Sequence, residues 1–207
     1  MTEDEAGDWI AGASGVPREA IGQLADLASI IVRENQTQNL ISPGTVDSFI
    51  SRHIVDSLQL GSFAPQPASW ADIGSGGGLP GLPLACAHPK SLFTLIEPRR
   101  LRADFLQRTA AELSLANIAV VQAKAEGVTG CFDVITARAV APPAHLISMT
   151  RHLAHKETIW VLPAGRSAEK ALKDLRRSWQ GRFHVEPSVT DPESGIIIAS
   201  HVEGRRK

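Results

Sequence analysis

Trp70-Ala-Asp-Ile-Gly-Ser-Gly-Gly-Gly-Leu-Pro-Gly81 is the stretch that predicts the architecture of this chain most directly. The apolar run at residues 70–73 has the length of a buried strand, and the glycines at positions 74, 76 and 78 predict a tight loop after it. Pro80 and Pro83 stand where a helix can begin, because a fixed φ and a missing N–H donor do no harm in the first helical turn. Strand, glycine loop and helix in this order are typical of a site where backbone approaches a nucleotide-type cofactor.

The spacing of these glycines indicates which cofactor is bound. Dinucleotide-binding loops follow the pattern Gly-x-Gly-x-x-Gly, but the sixth residue counted from Gly74 is Leu79. The observed pattern, Asp72-x-Gly74-x-Gly76-x-Gly78, resembles the first motif of the Rossmann-like methyltransferases that use S-adenosylmethionine (AdoMet). A carboxylate at position 72 suits a cofactor that carries an ammonium group and a cationic sulfur. The alternative is a glycine-rich surface turn that binds no ligand.

Further strands place charged residues at the same edge of the predicted sheet. Three more apolar runs predict strands, at residues 92–96, 118–122 and 132–137. Beyond their ends lie Glu97, Glu126 and Arg138. Ligands of parallel α/β sheets bind outside the carboxyl ends of the strands, so these three residues are expected to converge with Asp72 on one crevice. Glu97 follows Gly78 by 19 residues, the separation at which an acidic side chain accepts hydrogen bonds from ribose hydroxyls.

The rest of the chain completes an α/β sheet. Helices are predicted at residues 17–33, 46–60 and 167–179, a polar loop at 35–41, a fifth strand at 158–162 and a closing antiparallel pair at 183–186 and 196–200. The predicted fold is therefore α/β, a Rossmann-like AdoMet-dependent methyltransferase fold with a mostly parallel seven-stranded sheet and helices on both faces. We expect an N-terminal helical extension at residues 1–66 and the AdoMet-binding core at 67–207.

Composition and charge set the broad class of the protein. The chain has 207 residues, of which 43% are hydrophobic, so it can bury a single core. Its apolar runs are far shorter than a membrane span and its amino terminus is acidic, so we expect a cytoplasmic location without membrane contact. A monomer is the expected state. Cys86 and Cys131 lie in apolar contexts without the spacing of metal ligands, which predicts reduced core thiols and no bound metal.

Basic residues near the predicted crevice are candidates for contact with nucleic acid. The net charge of −1 neither demands nor excludes such a partner, because a phosphate-binding surface needs only a local cluster. The candidates are Arg52, Arg99, Arg100, Arg166, Lys170 and Lys173. On the predicted helix 46–60, Arg52 can pair with Asp56, and His53 and Asp56 share a face. The alternative for all of these residues is a solvated helix face.

Two common chemistries on nucleobases lack their usual residues here. Enzymes that methylate exocyclic amines carry a polar-Pro-Pro-aromatic tetrad after the fourth strand, but this chain has Ala141-Pro142-Pro143-Ala144. Methylation of pyrimidine carbon 5 needs a thiolate in a catalytic loop, and neither cysteine occupies one. Both reactions are therefore disfavoured.

Five stretches together resemble one family, the bacterial small-subunit ribosomal RNA (guanine-N7) methyltransferases of the glucose-inhibited division protein B group. They are Asn39-Leu-Ile41 with Arg52-His-Ile-Val-Asp-Ser57; the run from Asp72 to Pro83; Thr94-Leu-Ile-Glu97 with Arg100 and Phe105-Leu106; Leu115-Ala-Asn117 leading to Ala125-Glu126; and Thr136-Ala-Arg138-Ala139. The resemblance covers residues 20 to 200. It implies AdoMet as cofactor, with contacts at Gly74, Leu79, Ala125, Glu126 and Arg138. It also implies a guanine in the 530 loop of 16S rRNA as target, in bare rRNA or in the 30S subunit.

The implied reaction needs no general base, because guanine N7 carries a free lone pair. His53 and Arg138 are expected to orient base or cofactor. The sequence departs from the family where a lysine-glycine pair usually follows the fifth strand: it reads Ala164-Gly165, and Arg166 or Lys170 are candidates to replace the lysine. Two other classes remain open. One is a nicotinamide-dependent oxidoreductase, disfavoured by Leu79 and by the lack of tyrosine; the other is a non-catalytic AdoMet-dependent RNA-binding module.

Overall fold

A seven-stranded sheet forms the centre of the computed structural model, which describes residues 1–12, 16–65 and 68–205. The strands are β1 (Ser69–Ile73), β2 (Leu92–Ile96), β3 (Ile118–Val121), β4 (Phe132–Ala137), β5 (Ala154–Gly165), β6 (Trp179–Pro187) and β7 (Gly195–Gly204). Their order across the sheet is β3-β2-β1-β4-β5-β7-β6. The first five strands pair in parallel, whereas β7 is antiparallel to both β5 and β6.

Helices cover both faces of this sheet. The described α-helices are α1 (Glu3–Gly12), α2 (Arg18–Gln38), α3 (Asp56–Leu58), α4 (Gly81–Ala87), α5 (Arg100–Glu112), α6 (Pro143–Thr150) and α7 (Ala168–Ser178). Successive side chains of a strand point to opposite faces, so each strand contributes side chains to a hydrophobic core on either face of the sheet. Trp70 packs in the core shared with α2, α4 and α5, and its neighbour Ala71 packs in the core shared with α6 and α7. The predicted α/β fold is confirmed.

The strand order reverses at the centre of the sheet, between β1 and β4. The chain moves outward from β1 to β2 and β3, then returns to place β4 on the other side of β1. Connections leaving β1 and β4 therefore diverge to opposite faces and open a crevice at the carboxyl ends of these strands, the usual ligand position in such sheets. Gly74 follows β1 and Arg138 follows β4, so both lie at this crevice.

Several local predictions are confirmed and others are wrong. Strands β2 and β4 begin and end as predicted. The polar stretch predicted as a loop is wrong at residues 35–38, because α2 continues to Gln38 and ends where Asn39 adopts a left-handed conformation with φ 49°. The single helix predicted at 46–60 is also wrong. That segment contains a π-helical stretch (Ile50–Val55), the short α3 and a 3-10 turn (Gln59–Phe63).

The N-terminal helices share a core with the sheet. Leu24 and Leu27 of α2 belong to the same buried cluster as Phe93 of β2 and Phe105 of α5. Helix α1 contacts the π-helical stretch, because the Glu3 carboxylate accepts hydrogen bonds from the backbone N–H groups of residues 50 and 51, both at 2.8 Å. The predicted boundary between residues 66 and 67 lies outside the described residues.

The two cysteines differ in burial, and the described residues form neither a cluster of metal-ligating side chains nor a membrane-spanning helix. Cys86 is buried as predicted, but the prediction of a core thiol at Cys131 is wrong because this residue is exposed. Within the described ranges, no group of three or more His, Cys, Asp or Glu side chains is arranged to hold a metal ion. Among the same residues, every helix is too short or too polar to cross a membrane.

Candidate functional site

A cavity of about 360 Å³, here called the glycine cleft, opens at the crevice between β1 and β4. Its lining residues are Leu40, Gly74, Ser75, Gly76, Gly77, Leu79, Glu97, Pro98, Arg99, Arg102, Arg138, Ala139 and Val140. The loop after β1, the end of β2 and the segment after β4 thus meet here, as the sequence predicted for Gly74, Gly76, Leu79, Glu97 and Arg138. Arg102 stands with Arg99 and Arg100 at the start of α5, where the basic residues after β2 were candidates for contact with phosphate. Leu40 and Val140 were not predicted, and of these two only Leu40 had a signal, as part of the Asn39-Leu-Ile41 stretch.

The glycine loop exposes its backbone to the cleft at Gly76. This residue has φ +55°, in the left-handed region, and a Cβ built on it would find its nearest atoms at 3.5 Å and beyond, on residues that line the cleft. Gly74 also has a positive φ, +66°, but a Cβ there would lie 2.6 Å from Cγ2 of Val140. At Gly78 a Cβ would collide with Leu82 of α4. The three glycines therefore serve different needs, and only Gly76 faces open cleft space.

Glu97 holds the glycine loop against the end of β2. Its side chain is buried, and its two carboxylate oxygens accept hydrogen bonds from the backbone N–H groups of Gly76 and Arg99, both at 2.9 Å. Each carboxylate oxygen has a second lone pair, so Glu97 retains capacity for ribose hydroxyls. The carboxylate thus shapes the loop and lines the cleft.

Asp72 is a buried carboxylate with one oxygen left free. Its Oδ2 accepts a hydrogen bond from the Gly81 N–H at 3.2 Å, while Oδ1 is buried and has no partner among the described residues. Burial raises the pKa of Asp72 to about 7. An unpaired buried polar atom costs free energy, so Asp72 provides a ready acceptor for an ammonium group that reaches it.

Arg138 connects the glycine cleft with a second cavity, and His53 orients it. An Arg138 guanidinium nitrogen lies 3.0 Å from His53 Nδ1. Arginine can only donate, so Nδ1 is the acceptor and the imidazole proton is on Nε2, which donates to Thr45 Oγ1 at 2.8 Å. Burial and the neighbouring arginines lower the pKa of His53 to about 4, which keeps the ring neutral at pH 7. His53 is not part of the cleft lining and contacts the cleft through its hydrogen bond with Arg138.

The remaining predicted site residues have varied surroundings. Ala125 is buried and Glu126 is exposed, and both belong to a 3-10 turn after β3 outside the cleft lining. Among the basic residues, Arg99 lines the glycine cleft. Arg52 lines a second cavity, which adjoins the cleft at Arg138 and also contains Asp56. Exposed Arg100 is 3.7 Å from Asp104, whereas Arg166 pairs with Glu193 at 2.9 Å. Lys170 and Lys173 are exposed on α7.

Asp56 differs most from its expected surroundings. The sequence suggested an ion pair with Arg52 on a solvated face, but the Asp56 carboxylate accepts hydrogen bonds from the Thr190 hydroxyl and, at 3.1 Å, from Gln59 Nε2. Thr190 is 134 positions away along the chain, so no local sequence pattern reports this contact.

Comparison with solved structures identifies the fold. A SAM-dependent methyltransferase from Aquifex aeolicus superposes with a TM-score of 0.59 at 12% identity, over 83% of this chain and 97% of that one. TYW2 from M. jannaschii, solved in complex with AdoMet, gives a TM-score of 0.54 at 13% identity, over 81% of this chain and 78% of that one. The fold is that of the Rossmann-like methyltransferases.

Sequence comparison identifies the family within that class. The profile of the rRNA small subunit methyltransferase G family matches residues 20–194. The protein of that name from Rhizorhabdus wittichii is 44% identical over all of this chain and 96% of its own length, and the one from Novosphingobium aromaticivorans is 37% identical over all of this chain and 91% of its length. The chain belongs to the rRNA small subunit methyltransferase G family. This membership removes a nicotinamide-dependent oxidoreductase as an alternative.

Proposed function

We propose that this protein transfers a methyl group from AdoMet to N7 of a guanine in the 530 loop of 16S rRNA. Family membership supports ribosomal RNA methylation, and the glycine cleft at the reversal of strand order supports a nucleotide-type cofactor. The observation that carries the cofactor assignment is the buried Asp72 Oδ1, which has no partner among the described residues and belongs to the residue two positions before Gly74.

Residues of the cleft lining, together with Asp72, Gly78, Ala125 and Glu126 outside it, are assigned the following roles toward AdoMet. Asp72 accepts a hydrogen bond from the ammonium of the methionyl group, and Glu97 accepts from the ribose hydroxyls. Gly74, Gly76, Gly78 and Leu79 form the loop around the cofactor, with Ala125 and Glu126 at the adenine. When bound, AdoMet supplies a methyl group on a cationic sulfur, and transfer leaves a neutral thioether and a positively charged methylguanine.

Catalysis in this site rests on orientation and electrostatics. Guanine N7 has its own lone pair, so no side chain has to remove a proton before the transfer. Arg138 lines both cavities and holds the position of base relative to cofactor, and His53 fixes Arg138. Asp72 and Asp56 both act electrostatically on Arg138 and provide the negative charge around a cationic reaction centre.

A methyl-transfer assay tests the proposed function. Protein with tritiated AdoMet is incubated with bare 16S rRNA and with 30S subunits from cells that lack this methylation, and the modified base is identified by cleavage of the RNA at N7-methylguanine. We expect label in one guanine of the 530 loop. Label at another atom or in another RNA would refute the proposed target, and absence of transfer despite AdoMet binding would favour the non-catalytic RNA-binding module.

The Asp72 carboxylate makes cofactor binding dependent on pH. The pKa of Asp72 is raised to about 7, so the ligand-free protein carries a proton there at low pH and has to release it before Asp72 can accept an ammonium. We expect the dissociation constant of S-adenosylhomocysteine to rise roughly 20-fold from pH 7.5 to pH 5.5. Calorimetry at both pH values measures this change.

The Asp72→Asn variant is the control for this pH dependence. It retains an acceptor for the Gly81 N–H but has no proton to lose, so its affinity should be lower and nearly constant from pH 5.5 to 7.5. Because the folded pKa lies above the unfolded value, the stability from the Asp72 proton is present at low pH and lost as the pH rises through about 7. The melting temperature of the variant should lack this decline, and parallel pH profiles of the two proteins would contradict the assignment.

The RNA surface is proposed to include Lys170 and Lys173 on α7, with Arg52, Arg99, Arg100 and Arg166 around the cleft. Arg166 shares its charge with Asp191 and Glu193, whereas the described residues form no ion pair with either lysine. The two lysines are therefore the freer phosphate contacts, and Lys170 is the better candidate for the family lysine that is missing at Ala164.

Replacement of both lysines should flatten the salt dependence of RNA binding. Each phosphate contact on single-stranded RNA contributes about 0.7 to the slope of log K against log salt, so Lys170→Gln with Lys173→Gln should lower the slope by roughly 1.4. Lys90→Gln with Lys156→Gln is a matched control, because both lysines are exposed near the opposite ends of the parallel strands. Filter binding at several salt concentrations measures the slope. Equal slopes in the two double variants would show that the two α7 lysines do not contact RNA phosphates, and the RNA surface would then be assigned to the arginines.

A further inference from the structure

A second cavity, of about 380 Å³, lies on the other side of Arg138 from the glycine cleft. We call it the Asp56 cavity; it is bounded by α3 and the turn after it, the segment after β4, the end of β5 and the connection from β6 to β7. Residues from each part are Asp56, Gln59, Pro142, Gly165, Thr190 and Ser194. Arg138 and Ala139 line both cavities. A ligand in the Asp56 cavity therefore adjoins the cofactor cleft.

The carboxylate of Asp56 is held in one orientation by a directed network. Gln59 Oε1 accepts from the Val189 N–H at 2.9 Å, so the Gln59 amide must present its Nε2 to Asp56 Oδ1 and to Ser188 Oγ, at 3.1 and 3.2 Å. The Thr190 hydroxyl donates to the same Oδ1. Oδ1 is thus occupied by two donors, while Oδ2 accepts no hydrogen bond from any described residue.

The chemistry of this free oxygen selects among the four bases. A carboxylate only accepts hydrogen bonds. Guanine presents two adjacent donors, N1–H and the N2 amino group, on the Watson–Crick edge by which unpaired RNA bases are read. Adenine and cytosine each present an unprotonated ring nitrogen there, and uracil has a single donor between two carbonyls. Oδ2 has two acceptor lone pairs and can accept from both donors of guanine, whereas every other base places an acceptor atom, which a carboxylate repels, beside its donor. Asp56 therefore favours guanine over the other three bases.

The same contact suits methylation at N7. N7 belongs to the five-membered ring, away from the Watson–Crick edge, so a guanine bound to Asp56 keeps N7 free. Positive charge develops on the base as N7 is methylated, and a nearby carboxylate stabilises that charge more strongly in the transition state than in the bound substrate. Burial raises the pKa of Asp56, while the Thr190 hydrogen bond, Arg138 and Arg52 oppose this rise and favour the ionised form.

We infer that Asp56 is the residue that makes the site specific for guanine, by accepting hydrogen bonds from N1–H and the N2 amino group of the target base. This inference rests on the proposed methylation of guanine N7. It deepens that function by assigning the Asp56 cavity to the base and Gln59, Ser188 and Thr190 to the orientation of the carboxylate.

The Asp56→Asn variant tests the inference. Thr190 and Gln59 both donate to the Oδ1 position, so the amide oxygen should occupy it and the NH2 group should face the donors of guanine. We expect kcat/KM for the rRNA substrate to fall about 100-fold, with the affinity for S-adenosylhomocysteine and the melting temperature nearly unchanged. Asp26→Asn, which removes one exposed negative charge from α2, a helix that lines neither cavity, is the matched control and should keep wild-type activity.

Inhibition by free nucleotides distinguishes recognition from a structural role. GMP and IMP differ only in the N2 amino group, so GMP should inhibit the wild type about tenfold better than IMP and should lose this advantage in Asp56→Asn. Equal inhibition of the wild type by both nucleotides, or a variant within threefold of wild-type kcat/KM, would overturn the inference. Failure of the proposed function is seen separately, because the wild type itself would then transfer no methyl group to guanine N7.

Discussion

Gly76→Val is expected to abolish binding of AdoMet and S-adenosylhomocysteine. A side chain on Gly76 would project into the glycine cleft, because its nearest atoms belong to Arg102 and Gly74 of the cleft lining. The backbone there is the part of the loop that a nucleotide-type cofactor approaches most closely. We expect the dissociation constant to rise at least 100-fold, about 3 kcal/mol of binding free energy, as measured by calorimetry.

Gly165→Val is the matched control for this variant. Gly165 has φ +57°, against +55° at Gly76, and open space where a Cβ would lie, but it lines the Asp56 cavity instead of the glycine cleft. Both substitutions impose a similar backbone strain, on the order of 1–3 kcal/mol, so both should lower the melting temperature by similar amounts. Only Gly76→Val should lose the cofactor. Cofactor affinity retained by a folded Gly76→Val protein would refute the assignment of the cleft, and Gly76→Ala provides a milder variant should valine prevent folding.

Arg138→Met is expected to lower kcat/KM for the rRNA substrate by about 100-fold. Arg138 lines both cavities, so under the proposed function its loss removes the group that positions the base relative to the cofactor, and a misplacement of about 1 Å costs this much in rate. Methionine retains most of the aliphatic volume and removes the donors to His53 Nδ1 and to the Arg52 carbonyl. Arg102→Met is the matched control, because Arg102 lines the glycine cleft but not the Asp56 cavity. This variant should affect cofactor affinity more than kcat.

His53→Gln should reproduce part of the Arg138→Met defect and leave the pH profile unchanged. The pKa of His53, lowered to about 4, keeps the imidazole neutral across the working range, so we expect it to accept a hydrogen bond from Arg138 and not to transfer protons. The glutamine side chain offers Arg138 an acceptor and leucine does not, so His53→Gln should retain more activity than His53→Leu. A pH–rate profile in which a group near pH 6 disappears with His53 would contradict the positioning role.

The sequence predicted best those features that depend on neighbouring residues. The limits of β2 and β4 follow from short apolar runs, and the loop at Gly74, Gly76 and Gly78 follows from the need for left-handed backbone after β1. The rule that ligands bind at the carboxyl ends of parallel strands then predicted that Glu97 and Arg138 lie near the glycine loop. Both residues line the cleft.

The sequence predicted poorly those elements whose form depends on distant partners. The segment at 46–60 has a helical pattern, but Glu3 of α1 accepts hydrogen bonds from its backbone at residues 50 and 51 and the helix takes a π-helical form there. The polar residues 35–38 lack a strong helical signal, yet they continue α2, where Gln38 donates to the Leu101 carbonyl of α5. Propensity is a weak prior that tertiary contacts override.

The sequence alone therefore predicted the fold class, the glycine loop and the edge of the sheet where the glycine cleft lies. Glycine spacing and strand periodicity are local patterns, and the handedness of strand crossovers follows a general rule. Only the tertiary structure decided how the site is connected. The hydrogen bond from Arg138 to His53 joins residues 85 positions apart, and that from Thr190 to Asp56 joins residues 134 apart. Such contacts arise from the packing of the N-terminal helices and the β6–β7 connection against the sheet edge, so they exist only once the whole core has formed.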